Sequence, residues 1–331
     1  MTVETAEPTI PAPPHGVDPI LVATDVHRSF GGVRAVSVDH FEVQPGKIVA
    51  LIGPNGAGKT TFFNLLTGFE SADGGSWKFE GHELAGKPAY AVAQAGMVRT
   101  FQSARVFPRL SVLDNVRLGA KGQRGERLGS ALARWRWRTQ EEQLGERASE
   151  LVHWVGLGAK ENDLAGTLSG GQRKLLELAR AVMASPSLLM LDEPMAGVNP
   201  ALRQALLEKI ADLPSEGITV LFVEHDMDVV SVISDLVVCM AEGSIIASGT
   251  AGEVAADERV IEAYLGASSG DLRDAGRSMD DEMPHPPKDI PVPAEVADHL
   301  PPPDVEPEMM GDFTSKLPRK EPTDDDPGSR P

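Results

Sequence analysis

The sequence holds a single cysteine, Cys239, so no disulfide can form within the chain. Cys239 lies in the apolar run "DLVVCM", where a buried structural thiol is expected. Positive charge is also scarce. The chain has 31 basic and 49 acidic residues, a formal net charge of −18, which argues against nucleic acid as a partner. No run of eighteen apolar residues occurs, so no segment is expected to span a membrane. The opening stretch "MTVETAEPTIPAPPHG" lacks a basic region followed by an apolar one. A secretory signal is therefore not expected, and the default location is cytoplasmic.

What is present is an ordinary globular balance, 41% hydrophobic and 24% charged, over 331 residues. That length suits one large domain or two modest ones. Composition is uneven. Residues 1–19 carry five prolines and no Lys or Arg, and read as a flexible leader. Residues 267–331 carry 13 of the 26 prolines, 16 acidic and seven basic residues, a net charge of −9. Such a segment buries too little apolar surface to offset the entropy of ordering, and a disordered tail is expected. The folded body is about 20–266.

Within that body, "KIVALIGPNGAGKTTFFNLLTGFE" starts as a buried strand over Lys47–Ile52 and ends as a helix over Thr60–Thr67, closed by Gly68. Between them Gly53-Pro54-Asn55-Gly56-Ala57-Gly58-Lys59-Thr60 fits G-x-x-x-x-G-K-[ST]. Chance gives this pattern in about one chain of this length in a hundred, and the strand-to-helix context makes the match meaningful. Glycines let backbone N–H groups turn inward around phosphate oxygens, and the helix N-terminus adds a favourable dipole. Lys59 is placed to reach the β- and γ-phosphates and the Thr60 hydroxyl to ligate Mg²⁺.

A second buried strand, Ser187–Leu191, ends in adjacent carboxylates, Asp192 and Glu193. Such a pair is costly at a buried strand end unless a cation answers it. The expected opposing charge is a Mg²⁺-bound nucleotide. Asp192 would hold the ion through water, and Glu193 would polarise a water aimed at the γ-phosphate.

With "LSGGQ" at 168–172, between the phosphate loop and the acidic strand, the chain resembles the ATP-binding subunit of ABC transporters over about 20–266. The fold expected is α/β: a mostly parallel sheet holding the phosphate loop, an N-terminal antiparallel β layer and a helical subdomain at about 100–168. Ser169, Gly170 and Gly171 open a helix, so they form a second anion site from a hydroxyl and amides. The resemblance implies head-to-tail dimers. Gly53 to Thr61 (Ala57 and Thr61 included) would bind one nucleotide, while Ser169, Gly170, Gly171 and Gln172 complete the partner's. It also implies that Phe30 stacks on adenine, that Gln102 in "TFQ" contacts Mg²⁺ and water, and that His225 after "TVLFVE" contacts the γ-phosphate. "MAGVNP" would cross to the other subunit, with Asn199 where many members carry Asp.

The stretches "TFQSARVFPRLSVLDNVRLGA", "VEHDMDVV" and "GTAGEVAADERVIEAYLG" are similar to branched-chain amino-acid uptake systems. Urea importers and the lipopolysaccharide-export ATPase share much of this pattern. The insertion at 120–147, with Arg134, Trp135, Arg136, Trp137 and Arg138, is either a headgroup- or subunit-facing helix or an ordinary packed amphipathic one. The function implied is ATP hydrolysis driving import at the cytoplasmic face of the membrane. The partners implied are two membrane-spanning permease subunits, a second ATP-binding subunit (a homodimer being the alternative) and, indirectly, an extracytoplasmic binding protein. A non-transport ATPase of this family would carry two cassettes, a coiled-coil insertion or zinc cysteines, and none is in the sequence. A binding-only regulatory cassette is disfavoured by the intact Lys59, Glu193 and His225.

Overall fold

The computed structural model describes residues 18–101, 105–121 and 138–265. Residues 1–17 of the expected leader, 122–137 of the insertion and the whole expected tail lie outside these. Three strands are buried along their full length: β3 (Ile48–Ile52), β7 (Leu188–Asp192) and β8 (Thr219–Val223). A parallel strand covered on both faces has no solvent side, which is why these runs lack polar alternation. They join β6 (Met97–Arg99), β9 (Leu236–Ala241) and β10 (Ser244–Gly249) in one sheet of order β10-β9-β3-β8-β7-β6. Every pairing is parallel except that of β10 with β9. A second, antiparallel sheet of order β2-β1-β4-β5 contains β1 (Leu21–Phe30), β2 (Val33–Val43), β4 (Gly74–Phe79) and β5 (His82–Glu83). The expected α/β architecture with an N-terminal antiparallel layer is what the chain adopts.

Strand alternation divides the core between the two faces of the parallel sheet. Ile48, Ala50, Ile52, Val220 and Phe222 face one cluster with the helices α3 (Val112–Arg117), α4 (Arg138–Trp154) and α5 (Gly170–Met183). Val49, Leu51, Leu221 and Val223 face the other, which holds α1 (Lys59–Leu66) and the antiparallel layer. Helices α3 and α4, with 3-10 turns at Gly158–Lys160 and Ala165–Thr167, occupy the stretch where a helical subdomain was expected. Among the described residues the remaining α-helices are α2 (Ala89–Ala95), α6 (Pro200–Asp212), α7 (Met227–Ile233) and α8 (Ala251–Ala256).

Five boundaries differ by one residue from the sequence expectation: β3 starts at Ile48 rather than Lys47, α1 runs over Lys59–Leu66 rather than Thr60–Thr67, and β7 over Leu188–Asp192 rather than Ser187–Leu191. Helix α1 begins at Lys59, because Gly58, at φ 97°, already turns the chain. Strand β7 runs to Asp192, because that residue still pairs with Val223 of β8.

The antiparallel layer is fastened to α1 by Phe41 and Phe62, both fully buried and edge-on at 5.3 Å between ring centroids. Phe41→Ala removes this contact without touching the phosphate loop. It is expected to destabilise the fold by about 3–5 kcal/mol in urea denaturation.

Candidate active site

The parallel sheet puts the C-terminal ends of β3, β8 and β7 side by side, where ligands bind in open α/β sheets. The phosphate loop follows β3. Its first glycine, Gly53 (φ 144°), lies so close to β9 that an added Cβ would stand 2.0 Å from the Met240 carbonyl oxygen. Gly58 (φ 97°) is held in the same way, 2.3 Å from the Ala35 carbonyl. Only glycine meets both demands. Lys59 Nζ donates to the carbonyls of Gly53 at 2.7 Å and Pro54 at 2.9 Å. Burial holds this ammonium below the ordinary lysine range, with Glu193, Cys239 and Asp192 opposing the shift. Pro54, Asn55, Gly56 and Ala57 form the loop itself, closed by the Ala57 N–H to the Pro54 carbonyl at 3.2 Å. Thr60 is exposed at the first turn of α1 and Thr61 half-buried behind it.

Asp192 is buried, and its Oδ2 accepts from Arg99 Nη2 at 2.7 Å. The cation facing it in the structure is thus a side chain from β6, an addition to the Mg²⁺-bound nucleotide expected from sequence. Arg99 Nη1 also donates to Asn64 Oδ1 at 2.6 Å and Thr67 Oγ1 at 3.2 Å on and just after α1. Its guanidinium lies 5.6–5.7 Å from the ring centroids of Phe63, Phe69 and Phe101. Glu193 adopts a left-handed conformation at φ 45°, uncommon for a residue with a side chain. Its backbone is over-determined: the N–H donates to Val223 at 3.1 Å, and the carbonyl accepts from Ala196 at 3.2 Å and Lys174 Nζ at 3.4 Å.

His225 follows β8 with its side chain 64% exposed. Its anchor is Glu224, which the sequence did not single out. Glu224 is buried and accepts from the N–H groups of Met195 at 3.0 Å and His225 at 3.3 Å. Burial pushes its carboxyl above the usual range. One glutamate thereby fastens the loop after Glu193 to the loop bearing His225. The next residue, Asp226, caps α7 and pairs with Arg203 of α6.

Ser169 caps α5. Its hydroxyl accepts from the Gln172 N–H at 3.4 Å, and Gln172 Oε1 accepts from the Ser169 N–H at 3.1 Å. Gly171 is constrained by a side chain: an added Cβ would meet Leu202 Cδ1 at 2.7 Å. Among the described residues no hydrogen bond joins 169–172 to the phosphate loop. The structure therefore brings together Lys59, Asp192, Glu193 and His225 but leaves Ser169, Gly170, Gly171 and Gln172 as a separate group. Phe30 ends β1 and is 45% exposed. Asn199 caps α6, accepting from the Leu202 N–H at 2.9 Å, a task an aspartate would perform equally. Gln102 lies outside the described residues, although both flanks are placed. Glu177 of α5, buried, faces the amides of Arg105 and Phe101. Burial pushes this carboxyl up, while Arg180 opposes. A lone acid inside "LLELA" was the available sequence signal for it.

Beneath the loop, burial pushes the Cys239 thiol up to about 11, in keeping with a structural role. Burial likewise pushes the Tyr264 phenol up to about 12, with the Gly53 amide facing it.

Residues 36–196 match the family model described as ABC transporter, and residues 244–269 match one described as branched-chain amino acid ATP-binding cassette transporter. The chain is 39% identical over 253 residues to the probable branched-chain amino acid transport ATP-binding protein LivG of Archaeoglobus fulgidus, covering 76% of this chain and 98% of that one. The chain belongs to the ABC transporter ATP-binding family. It is also 40% identical over 250 residues to the high-affinity branched-chain amino acid transport ATP-binding protein BraF of Pseudomonas aeruginosa, covering 75% and 98%. Among solved structures, the ADP conformation of an ATP-binding cassette of an ABC transporter aligns at 35% identity and TM-score 0.66, covering 75% of this chain and 99% of that one. This ABC protein is thus an ATP-binding cassette with its phosphate loop, its acidic strand β7 and the helix α5 opened by the signature LSGGQ all in place.

Arg99→Met would leave Asp192 buried without its partner. It is expected to cost about 3–5 kcal/mol in urea unfolding, and adding Asp192→Leu should restore part of that loss.

Proposed function

We propose that this chain is the ATP-hydrolysing subunit of an importer for branched-chain amino acids, working at the cytoplasmic face of the membrane. The observation carrying the hydrolytic part is the gathering of Lys59, Asp192, Glu193 and His225 at adjacent strand ends. Lys59 leaves its two carbonyl partners for the β- and γ-phosphates, exchanging neutral acceptors for charged ones. Glu193, fixed by its backbone contacts, polarises the attacking water. His225, exposed beyond the Glu224 anchor, reaches the γ-phosphate. Phe30 offers a ring face to adenine. Ser169, Gly170, Gly171 and Gln172 face the nucleotide of a second ATP-binding subunit.

The donor set suits Mg²⁺, a hard cation that keeps several waters and binds through one or two carboxylates and substrate phosphates. Thr60 and Asp192 supply oxygen ligands, with Gln102 the third implied. Among the described residues no group of three His, Cys, Asp or Glu forms a metal cage of its own. When bound, Mg²⁺ neutralises charge that develops on the phosphates.

Among the described residues no helix is long and apolar enough to cross a membrane. Membership of the ABC transporter ATP-binding family implies separate permease subunits. A groove of ≈ 610 Å³ lined by Phe101, Arg105, Phe107, Leu118, Glu177 and Arg180 supports their docking. Phe107 and Leu118 are each about half exposed, at 52% and 51%. Apolar side chains rimmed by charge suit a short helix of a membrane subunit. The substrate class rests on the match at 244–269 and on the names of the relatives.

Glu193→Gln is expected to retain ATP binding and lower hydrolysis by at least about a hundredfold, measured as phosphate release by the assembled transporter. Near-normal turnover would remove Glu193 from this role. Affinity purification from native membranes in mild detergent should recover two permease subunits and a second, different ATP-binding subunit. Recovery of a homodimer alone would overturn the proposed assembly.

A further inference from the structure

Phe30 does not stand alone. The Arg28 guanidinium covers one face of its ring, 4.8 Å from the centroid. Two carboxylates hold that guanidinium in place. Arg28 Nη1 donates to Asp73 Oδ1 at 2.6 Å and Nη2 to Glu70 Oε1 at 2.7 Å. The other oxygen of Asp73 accepts from the Ser29 N–H at 2.7 Å. A register shift between Arg28 and Ser29 interrupts the regular strand alternation at this point.

Glu70 belongs to the turn that follows α1. The N–H groups of Phe69 and Glu70 both donate to the Asn64 carbonyl of that helix, at 2.9 and 3.1 Å. Lys59 begins the same helix. A continuous set of contacts therefore runs from the Phe30 ring through Arg28, Glu70 and α1 to the phosphate-binding lysine. Arg28 is an unsuitable phosphate ligand itself, because both terminal nitrogens are engaged by carboxylates. A stack of planar guanidinium and ring, pinned at the edge, leaves one ring face for a base and limits ring rotation.

We propose that Arg28 is a positioning residue for the nucleotide base: it backs the Phe30 ring and sets its spacing from the phosphate loop through Glu70 and Asp73. This rests on Phe30 being the base platform. The test compares the affinity of the full-length chain for ATP and for inorganic tripolyphosphate, which has no base. Arg28→Met is expected to weaken ATP about two- to fivefold, the range of an exposed cation–ring contact, and to leave tripolyphosphate unchanged. Arg28→Lys keeps the charge beside Glu70 and Asp73 but not the planar stack. It should keep the wild-type melting temperature and still show the ATP loss. In a Phe30→Ala background, Arg28→Met should add nothing. Equal weakening of both ligands, or the same added loss without Phe30, would overturn the proposal. If Phe30→Ala alone leaves ATP affinity unchanged, the platform assignment fails with it. If Phe30→Ala weakens ATP and Arg28→Met does not, the role of Arg28 alone fails.

Discussion

The buried ion pair between Arg99 and Asp192 ties the paired strands β6 and β7 to the phosphate-loop helix α1. Both side chains are nearly inaccessible, at 5% and 8% exposure. Bringing two charges out of water is costly, and the cost is offset only when geometry is good and the remaining hydrogen-bonding groups are engaged. Arg99 meets that condition at its two terminal nitrogens, while its buried Nε has no hydrogen-bond partner among the described residues. One terminal nitrogen reaches Asp192 on β7, while the other reaches Asn64 and Thr67 at the phosphate-loop helix. Three phenylalanine rings surround it, and a lysine could not span these partners in one plane. With Asp192 answered by Arg99, Lys59 is held by the neutral carbonyls of Gly53 and Pro54 rather than locked in a buried pair. That leaves it available for phosphate.

Around this pair the backbone is fixed before any ligand arrives. Gly53 is pressed against the Met240 carbonyl, and Glu193 is held at positive φ by bonds on both sides. Glu224 ties the segment after Glu193 to the one bearing His225. Groups positioned in this way need little reorganisation at the moment of reaction, which is how fixed dipoles and charges become effective.

Helix α5 connects this site with the groove beyond it. Ser169 caps its first turn, Lys174 touches the Glu193 carbonyl, and Glu177 and Arg180 reach the groove. Glu177 faces amides on both sides of the segment containing Gln102. One rigid element thus carries the signature residues, a contact to the proposed base and a wall of the proposed docking groove. Displacement of any one of these bears on the others through a single helix.

Legibility in the sequence followed chain proximity. The phosphate loop could be read because its eight residues are consecutive and their glycines serve local turns. The strand ending in Asp192 could be read because burial on both faces makes an unbroken apolar run. The helix opened by Ser169 could be read from adjacent residues, whereas its reciprocal cap with Gln172 came from the structure. Arg99, Glu224, Glu177 and Arg28 were not legible, since each acts through a partner distant in sequence or through burial that one residue type does not reveal. Arg99 and Asp192 are 93 positions apart, and Arg28 and Glu70 are 42 apart. The sequence by itself determined which backbone turns and which chemical groups are present, because those depend on neighbours. The tertiary structure alone decided which charges face one another, because that depends on strand order and on what is shut away from water.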